Sequence, residues 1–184
     1  MATILPRRRS PAGYSGVAKA LHWTIALLII GNIAGGIWQD SLEGPARGAV
    51  LAVHKSIGLT VLILSLFRVG WRLTHGFPRL PGGTPAWDAM LARTTHVLFY
   101  VLMIAVPLAG WAMVSAGPRL LELWGLPFPK LPVGERLGDL AHDAHEVLAL
   151  STLGLLALHV AGALKHHFVN KDDVLRRMLP GGRG

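Results

Sequence analysis

The sequence predicts an all-α membrane protein: a four-helix transmembrane bundle with both termini cytoplasmic. Three observations carry this. Only 15% of the 184 residues are charged and 52% are hydrophobic, against roughly 25% charged residues in an ordinary soluble domain. Four long uncharged runs are separated by turn-forming segments. The basic residues collect on alternate connections, as cytoplasmic flanks of membrane helices do. The length suits one domain, residues 1–184, with no room for a separate catalytic domain beside the apolar part.

The first run, Ala20 to Trp38, predicts a helix over about 17–38. Its 19 uncharged residues exceed the h-region of a cleaved signal, and three further spans follow it. Arg7, Arg8 and Arg9 are followed by Pro11 and Gly13, not by an apolar run, so they read as a cytoplasmic anchor. The second run, Ser56 to Phe67 extended backwards past Lys55 through Ala49 to His54, predicts a helix over about 49–70; the third, Thr94 to Pro118, one over about 94–116; and the fourth, Val147 to Leu164, one over about 144–168. Each reaches roughly the 20 residues that cross a hydrocarbon core. Asp40–Pro45, Phe77–Pro85 and Gly125–Gly134 are rich in Pro, Gly or acids and read as connections. A short amphipathic segment over 170–180 is expected on the cytoplasmic surface. No internal repeat is evident.

With the termini inside, thirteen of the eighteen Lys and Arg residues are cytoplasmic. That asymmetry sets the orientation. It also explains the net charge of +8 and the pI near 10.9 without a nucleic-acid partner. The absence of cysteine excludes disulfides, thiolate zinc, iron–sulfur clusters and covalent c-type haem.

Nine histidines are many for so apolar a chain, and ionisable groups inside membrane helices tend to mark function. His22 and His96 open helices 1 and 3 near the cytoplasm, and His54 opens helix 2 near the outside. Helix 4 carries His145 and, fourteen residues later, His159. Fourteen residues rise about 21 Å and return to within roughly 40° of one face. One face of helix 4 therefore offers an imidazole in each leaflet, His145 at the depth of His54, and His159 near that of His22 and His96. Facing imidazoles in an apolar bundle suit haem b, whose iron takes two axial nitrogens. Bis-His ligation favours electron transfer over oxygen binding. A His-based metal or proton transporter is the rival class, but it usually recruits midplane carboxylates, and the centres of all four runs lack them.

The ordered set His22-Trp23, His54-Lys55-Ser56 with Gly58, Arg68 with Trp71-Arg72, His96 with Tyr100, Pro107, Gly110 and Trp111, His145-Glu146, Leu158-His159, His166-His167-Phe168 and Lys171-Asp172 resembles the bacterial cytochrome b561 family. These are four-helix, di-haem b inner-membrane proteins whose best-defined activity is superoxide oxidase. The resemblance covers nearly the whole chain. It implies His22 and His159 as ligands of an inner haem b, His54 and His145 as ligands of an outer one, and His96 as a neighbour. Spacing alone leaves His22 and His96 competing for His159.

The resemblance further implies ubiquinone as electron acceptor, with His166 as its contact. Lys55 and Arg68 are candidate propionate contacts. Superoxide is an anion, so Arg119, Lys130 and Arg136 are the candidate steering cations, brought together if the long third connection folds over the outer haem. The same connection also suits docking of a periplasmic redox protein, such as a dehydrogenase, hydrogenase or c-type cytochrome. His75 and His142 are expected in loops with structural roles. Glu146 reads as an exposed helix-start carboxylate, and Trp23, Trp38, Trp71, Trp111 and Trp124 as an aromatic belt. Pro107 is expected to kink helix 3. Gly31, Gly35 and Gly36 allow close approach in helix 1. The partners implied are the lipid bilayer, the quinone pool and one of these two donors.

Overall fold

The computed structural model describes residues 14–75, 85–179 and 181. Arg7–Arg9 and most of the Phe77–Pro85 connection lie outside the described residues. Four helices run up, down, up and down: α1 Gly16–Trp38, α2 Gly44–His75, α3 Ala86–Ala116 and α4 Glu135–Lys165. All four are long and apolar enough to cross a membrane. A two-stranded hairpin, β1 Glu122–Leu123 and β2 Leu126–Pro127, interrupts the α3–α4 connection.

The helices start earlier than the apolar runs do: α2 at 44 rather than 49, α3 at 86 rather than 94, and α4 at 135 rather than 144. A hydropathy run stops at the first charge, whereas a helix satisfies its backbone in water as well as in lipid and continues. The extra turns carry Arg47, Asp88, Arg93, Glu135, Arg136 and Asp139. For the same reason His75 and His142 lie on helix ends rather than in loops, and Glu146 stands three turns inside α4. His75 stacks on Trp71 with ring centres 3.8 Å apart.

Local chemistry sets the ends. The Ser15 hydroxyl accepts from the Ala18 N–H at 3.3 Å and caps α1. Gln39–Ser41 form a single 3₁₀ turn whose Ser41 hydroxyl donates to the Trp38 carbonyl. Trp124 and Gly125, with φ of 53° and 82°, form the two-residue loop of the hairpin, where both central positions need positive φ.

α1 packs on α2, α2 on α3, and α3 most extensively on α4. A methyl at Gly138 would overlap Ala116, which shows how closely α3 and α4 approach at the hairpin end. The core is narrow: Ile25, Val61 and Met103 are buried, with Leu28, Ile29, Ile57, Phe99 and Tyr100 around them. Leu27, Ile63, Leu66, Val101 and Leu158 are exposed in mid-span, the outward apolar surface of a bundle solvated by lipid.

Both ends of the described chain lie at one end of the bundle, here the terminal end; the other is the hairpin end. At the terminal end Lys165 binds the buried Asp88 at 3.2 Å, joining α4 to α3. Lys171, with φ of 54°, turns the chain back. The segment beyond crosses to α1, where Trp23 Nε1 donates to the Met178 carbonyl at 2.8 Å and Lys19 Nζ to that of Leu179 at 3.1 Å. The expected surface segment is thus a strap from α4 to α1.

Candidate functional site

His54 of α2 and His145 of α4 face each other at the hairpin end with ring centres 6.1 Å apart. At the terminal end His22 of α1 and His159 of α4 are also 6.1 Å apart. Two imidazoles bound trans to one metal, at about 2.0 Å per bond, place their ring centres about 6 Å apart. His96 of α3 lies 5.8 Å from His159. Distance alone therefore leaves His22 and His96 as alternatives. Their surroundings differ: α3 is packed against α4, with Phe99 also edge-on to His159 at 5.3 Å, while α1 and α4 share no comparable interface.

The hairpin-end histidines are locked in one tautomer. His54 Nδ1 is 3.1 Å from the Asn32 carbonyl and His145 Nδ1 is 2.9 Å from the Val106 carbonyl. A carbonyl only accepts, so Nδ1 carries the hydrogen and Nε2 presents a bare lone pair, as iron ligation requires. Each ring also lies against a glycine one turn beyond that carbonyl. A Cβ at Gly36 would sit 3.1 Å from His54 Cε1, and one at Gly110 would sit 3.1 Å from His145 Cε1.

These contacts reveal an internal repeat that was not expected. Adding 74 to α1 positions turns His22, Asn32 and Gly36 into His96, Val106 and Gly110. Adding 91 to α2 positions turns His54 and Arg68 into His145 and His159. The α1–α2 and α3–α4 pairs are thus two halves of one plan, and at the terminal level Arg68 stands where its counterpart half has His159. Arg68 is 8% exposed; its Nε donates to Tyr100 Oη at 3.4 Å, and its Nη2 is 3.5 Å from His22 Nδ1. A buried guanidinium between a phenol and an imidazole calls for an anion, which a propionate would supply. An apolar groove of about 560 Å³ opens between α1 and α2 along Gly31, Gly35, Trp38, Val50 and His54. Facing imidazoles beside an apolar groove at the hairpin end, and facing imidazoles beside a buried cation at the terminal end, suit haem b.

The third connection does not cover the His54–His145 pair. It stands on the flank of α2 and α3: the Ser56 hydroxyl accepts from Trp124 N–H at 3.0 Å, Trp124 Nε1 donates to Thr60 at 3.1 Å, and Trp111 Nε1 donates to the Pro129 carbonyl at 2.9 Å. Ser56 follows His54 by two residues, about 200° around the helix, so the hairpin backs the side of α2 opposite the imidazole. Lys55 lines a small cleft there with Ser56, Glu122 and Trp124. Lys130 Nζ donates to the Gly117 carbonyl and holds the connection to the end of α3. Arg119 and Arg136 are exposed.

At the terminal end His166 Nδ1 meets Asp172 Oδ2 at 2.6 Å, and Asp172 Oδ1 accepts from Val174 N–H at 3.0 Å. Desolvation raises the Asp172 carboxyl, but the hydrogen bonds from His166 and Val174 and the His166 and Arg177 charges outweigh it and hold the group below its ordinary value. A depressed carboxyl contributes stability that is complete above its unfolded value, about 3.9, and lost as pH falls through the folded one. Amide exchange over residues 171–179 should accordingly stay slow at neutral pH and rise in acid. Asp172→Asn should speed it about tenfold at pH 7, the size of a hydrogen bond to a charged group. Equal exchange in both proteins would show that the pair does not hold the strap.

The family model for prokaryotic cytochrome b561 matches residues 13–181. Cytochrome b561 homolog 2 of Escherichia coli (strain K12) is 32% identical over 179 residues, covering 92% of this chain and 93% of that protein. A protein of Yersinia pestis named probable superoxide oxidase CybB is 30% identical, covering 93% and 98%. Cytochrome b562 of Cereibacter sphaeroides is 32% identical, covering 91% and 95%. Together with four spanning helices and imidazoles that meet in pairs, these matches show that the chain belongs to the prokaryotic cytochrome b561 family, the haem b electron-transfer proteins that span the bacterial inner membrane several times.

Proposed function

We propose that this chain oxidises superoxide at the periplasmic face and reduces ubiquinone, with two b haems held at the two levels of the bundle. The observation that carries the reading is the pair of imidazole pairs, each 6.1 Å apart, on opposite halves of α4. Two superoxide anions each give up one electron and leave as dioxygen; ubiquinone takes both electrons with two protons. Bound haem supplies the one-electron couple that joins these half-reactions. His54 and His145 hold the outer group and His22 and His159 the inner one, with both termini cytoplasmic. Lys55 and Arg68 supply cations for propionates, and Arg68 has the stronger support because it is buried. His166, oriented by Asp172, is the quinone contact and holds a proton at the inner interface.

Arg119 and Arg136 are the steering cations, since the Lys130 ammonium already has a carbonyl partner. Replacing both with alanine should lower the superoxide rate severalfold at low ionic strength and flatten its salt dependence, because exposed charges act within about 10 Å at 0.1 M salt. Lys130→Ala should have the smaller effect. An unchanged rate in the double variant would remove local steering.

A second reading has one observation in its favour. Glu135, Asp139, Asp143 and Glu146 are exposed along one stretch of α4 at the hairpin end, a surface that repels an anion and suits a cationic periplasmic redox protein. The deciding experiment is the haem-to-protein ratio and difference spectrum of the detergent-purified chain, followed by superoxide and then ubiquinone. Two b haems that superoxide reduces and quinone reoxidises are expected. Two haems indifferent to superoxide would transfer the function to the protein-partner reading, and absence of haem would overturn both.

A further inference from the structure

We infer that Arg68, Tyr100 and Trp71 form one anion seat, which receives the carboxylates of the porphyrin held at the His159 level; the inference rests on the haem reading above. All three present donors. The Arg68 guanidinium can only donate. Tyr100 Oη accepts from it, which leaves the phenolic hydrogen to donate elsewhere. Trp71 Nε1 is buried and has no acceptor among the described residues. Trp71 follows Arg68 by three residues, about 4.5 Å nearer the terminal end and about 60° around α2.

No carboxylate of the protein serves this group. The three acids at that end are Asp88, Asp172 and Asp173, and they bind Lys165, His166 and Arg176 respectively. A buried Trp71 Nε1 without an acceptor is costly, a buried guanidinium needs an opposite charge, and with the Tyr100 hydroxyl beside them they select an anion over a cation or a neutral ligand. Depth selects which anion. Arg68 lies fourteen residues below His54 as His159 lies fourteen below His145, so the guanidinium is level with the ligand imidazoles and Trp71 is one turn closer to the surface. Carboxylates attached to a macrocycle at this level, directed toward the terminal end, would meet all three donors. The repeat gives the same answer by another route: one half spends this position on a ligand and the other on a charge. Ser65, also buried without a partner, lies one turn toward the midplane and is outside the seat.

The test is porphyrin discrimination. The full chain carrying His54→Ala is produced in a haem-deficient host, and its membranes are supplied with haem b or with haem b dimethyl ester, which keeps the iron but lacks the carboxylates. At least a tenfold preference for haem b is expected, falling severalfold in Arg68→Gln and in Trp71→Phe, the second of which keeps the ring and loses only the N–H. In the chain with all its histidines and both haems, the propionate bending band in the resonance Raman spectrum should shift in the same two variants. Equal retention of haem and ester, or a preference and band unchanged in both variants, would overturn the seat. Failure to bind either porphyrin would instead overturn the haem reading.

Discussion

Replacing His54 or His145 with alanine is expected to halve the haem content of the purified chain and abolish reduction by superoxide, leaving the spectrum of the inner pair in place. The two rings are fixed from behind by the Asn32 and Val106 carbonyls, so neither can swing to compensate for the other. Losing an orienting partner alone typically costs about 10- to 100-fold in metal affinity, and losing the ligand costs more. The inner level supplies the contrast. His22→Ala should also halve the haem content, whereas His96→Ala should keep both haems, because α3 already packs against α4 whereas α1 does not. Unchanged stoichiometry in the His54 and His145 variants would break the outer pairing; loss of haem in His96→Ala with retention in His22→Ala would reverse the inner one.

Four spans, their order and the two histidine levels were legible because they rest on one-dimensional properties: hydropathy, and the fourteen-residue interval from His145 to His159. Helix starts were not, since Arg47, Asp88 and Glu135 end an apolar run without ending a helix. The repeat was hidden for a related reason. Positions facing lipid need only be apolar, so the halves keep few matched residues, and those that match, His22 with His96 and Gly36 with Gly110, are separated by intervals that mean nothing until the contacts are seen. The carbonyls of Asn32 and Val106 could not be read at all, because any residue supplies a carbonyl. The third connection is long enough to fold over the outer pair or to serve as a docking surface; Ser56, Thr60 and Ser115 bind it to the flank of α2 and α3. Arg68 and Trp71 entered the reading as parts of a family pattern, and only the burial of the guanidinium and of an indole N–H without an acceptor marks them as a group.

Gly36 and Gly110 offer the sharpest test of how the outer pair is held, because they can be changed without touching a ligand. In Gly110→Val the new Cβ would lie 3.1 Å from both Cε1 and Nδ1 of His145, with two further methyls beyond it; in Gly36→Val the Cβ would lie 3.1 Å from Cε1 and 3.4 Å from Nδ1 of His54. Neither ring can retreat without giving up its carbonyl and turning Nε2 away from the facing imidazole. Each valine variant should therefore lose the outer haem as completely as His145→Ala or His54→Ala does, while circular dichroism reports unchanged helix content. The alanine variants need shifts of only a few tenths of an ångström and should weaken retention severalfold. Gly154 of α4 has no heavy atom within 4 Å of its Cβ position, so Gly154→Val introduces the same side chain into a membrane helix and should keep both haems. If the valine variants at 36 and 110 retained two haems as well, the rings would not be seated on these glycines, and the orientation of Nε2 would have to come from the iron itself rather than from the bundle.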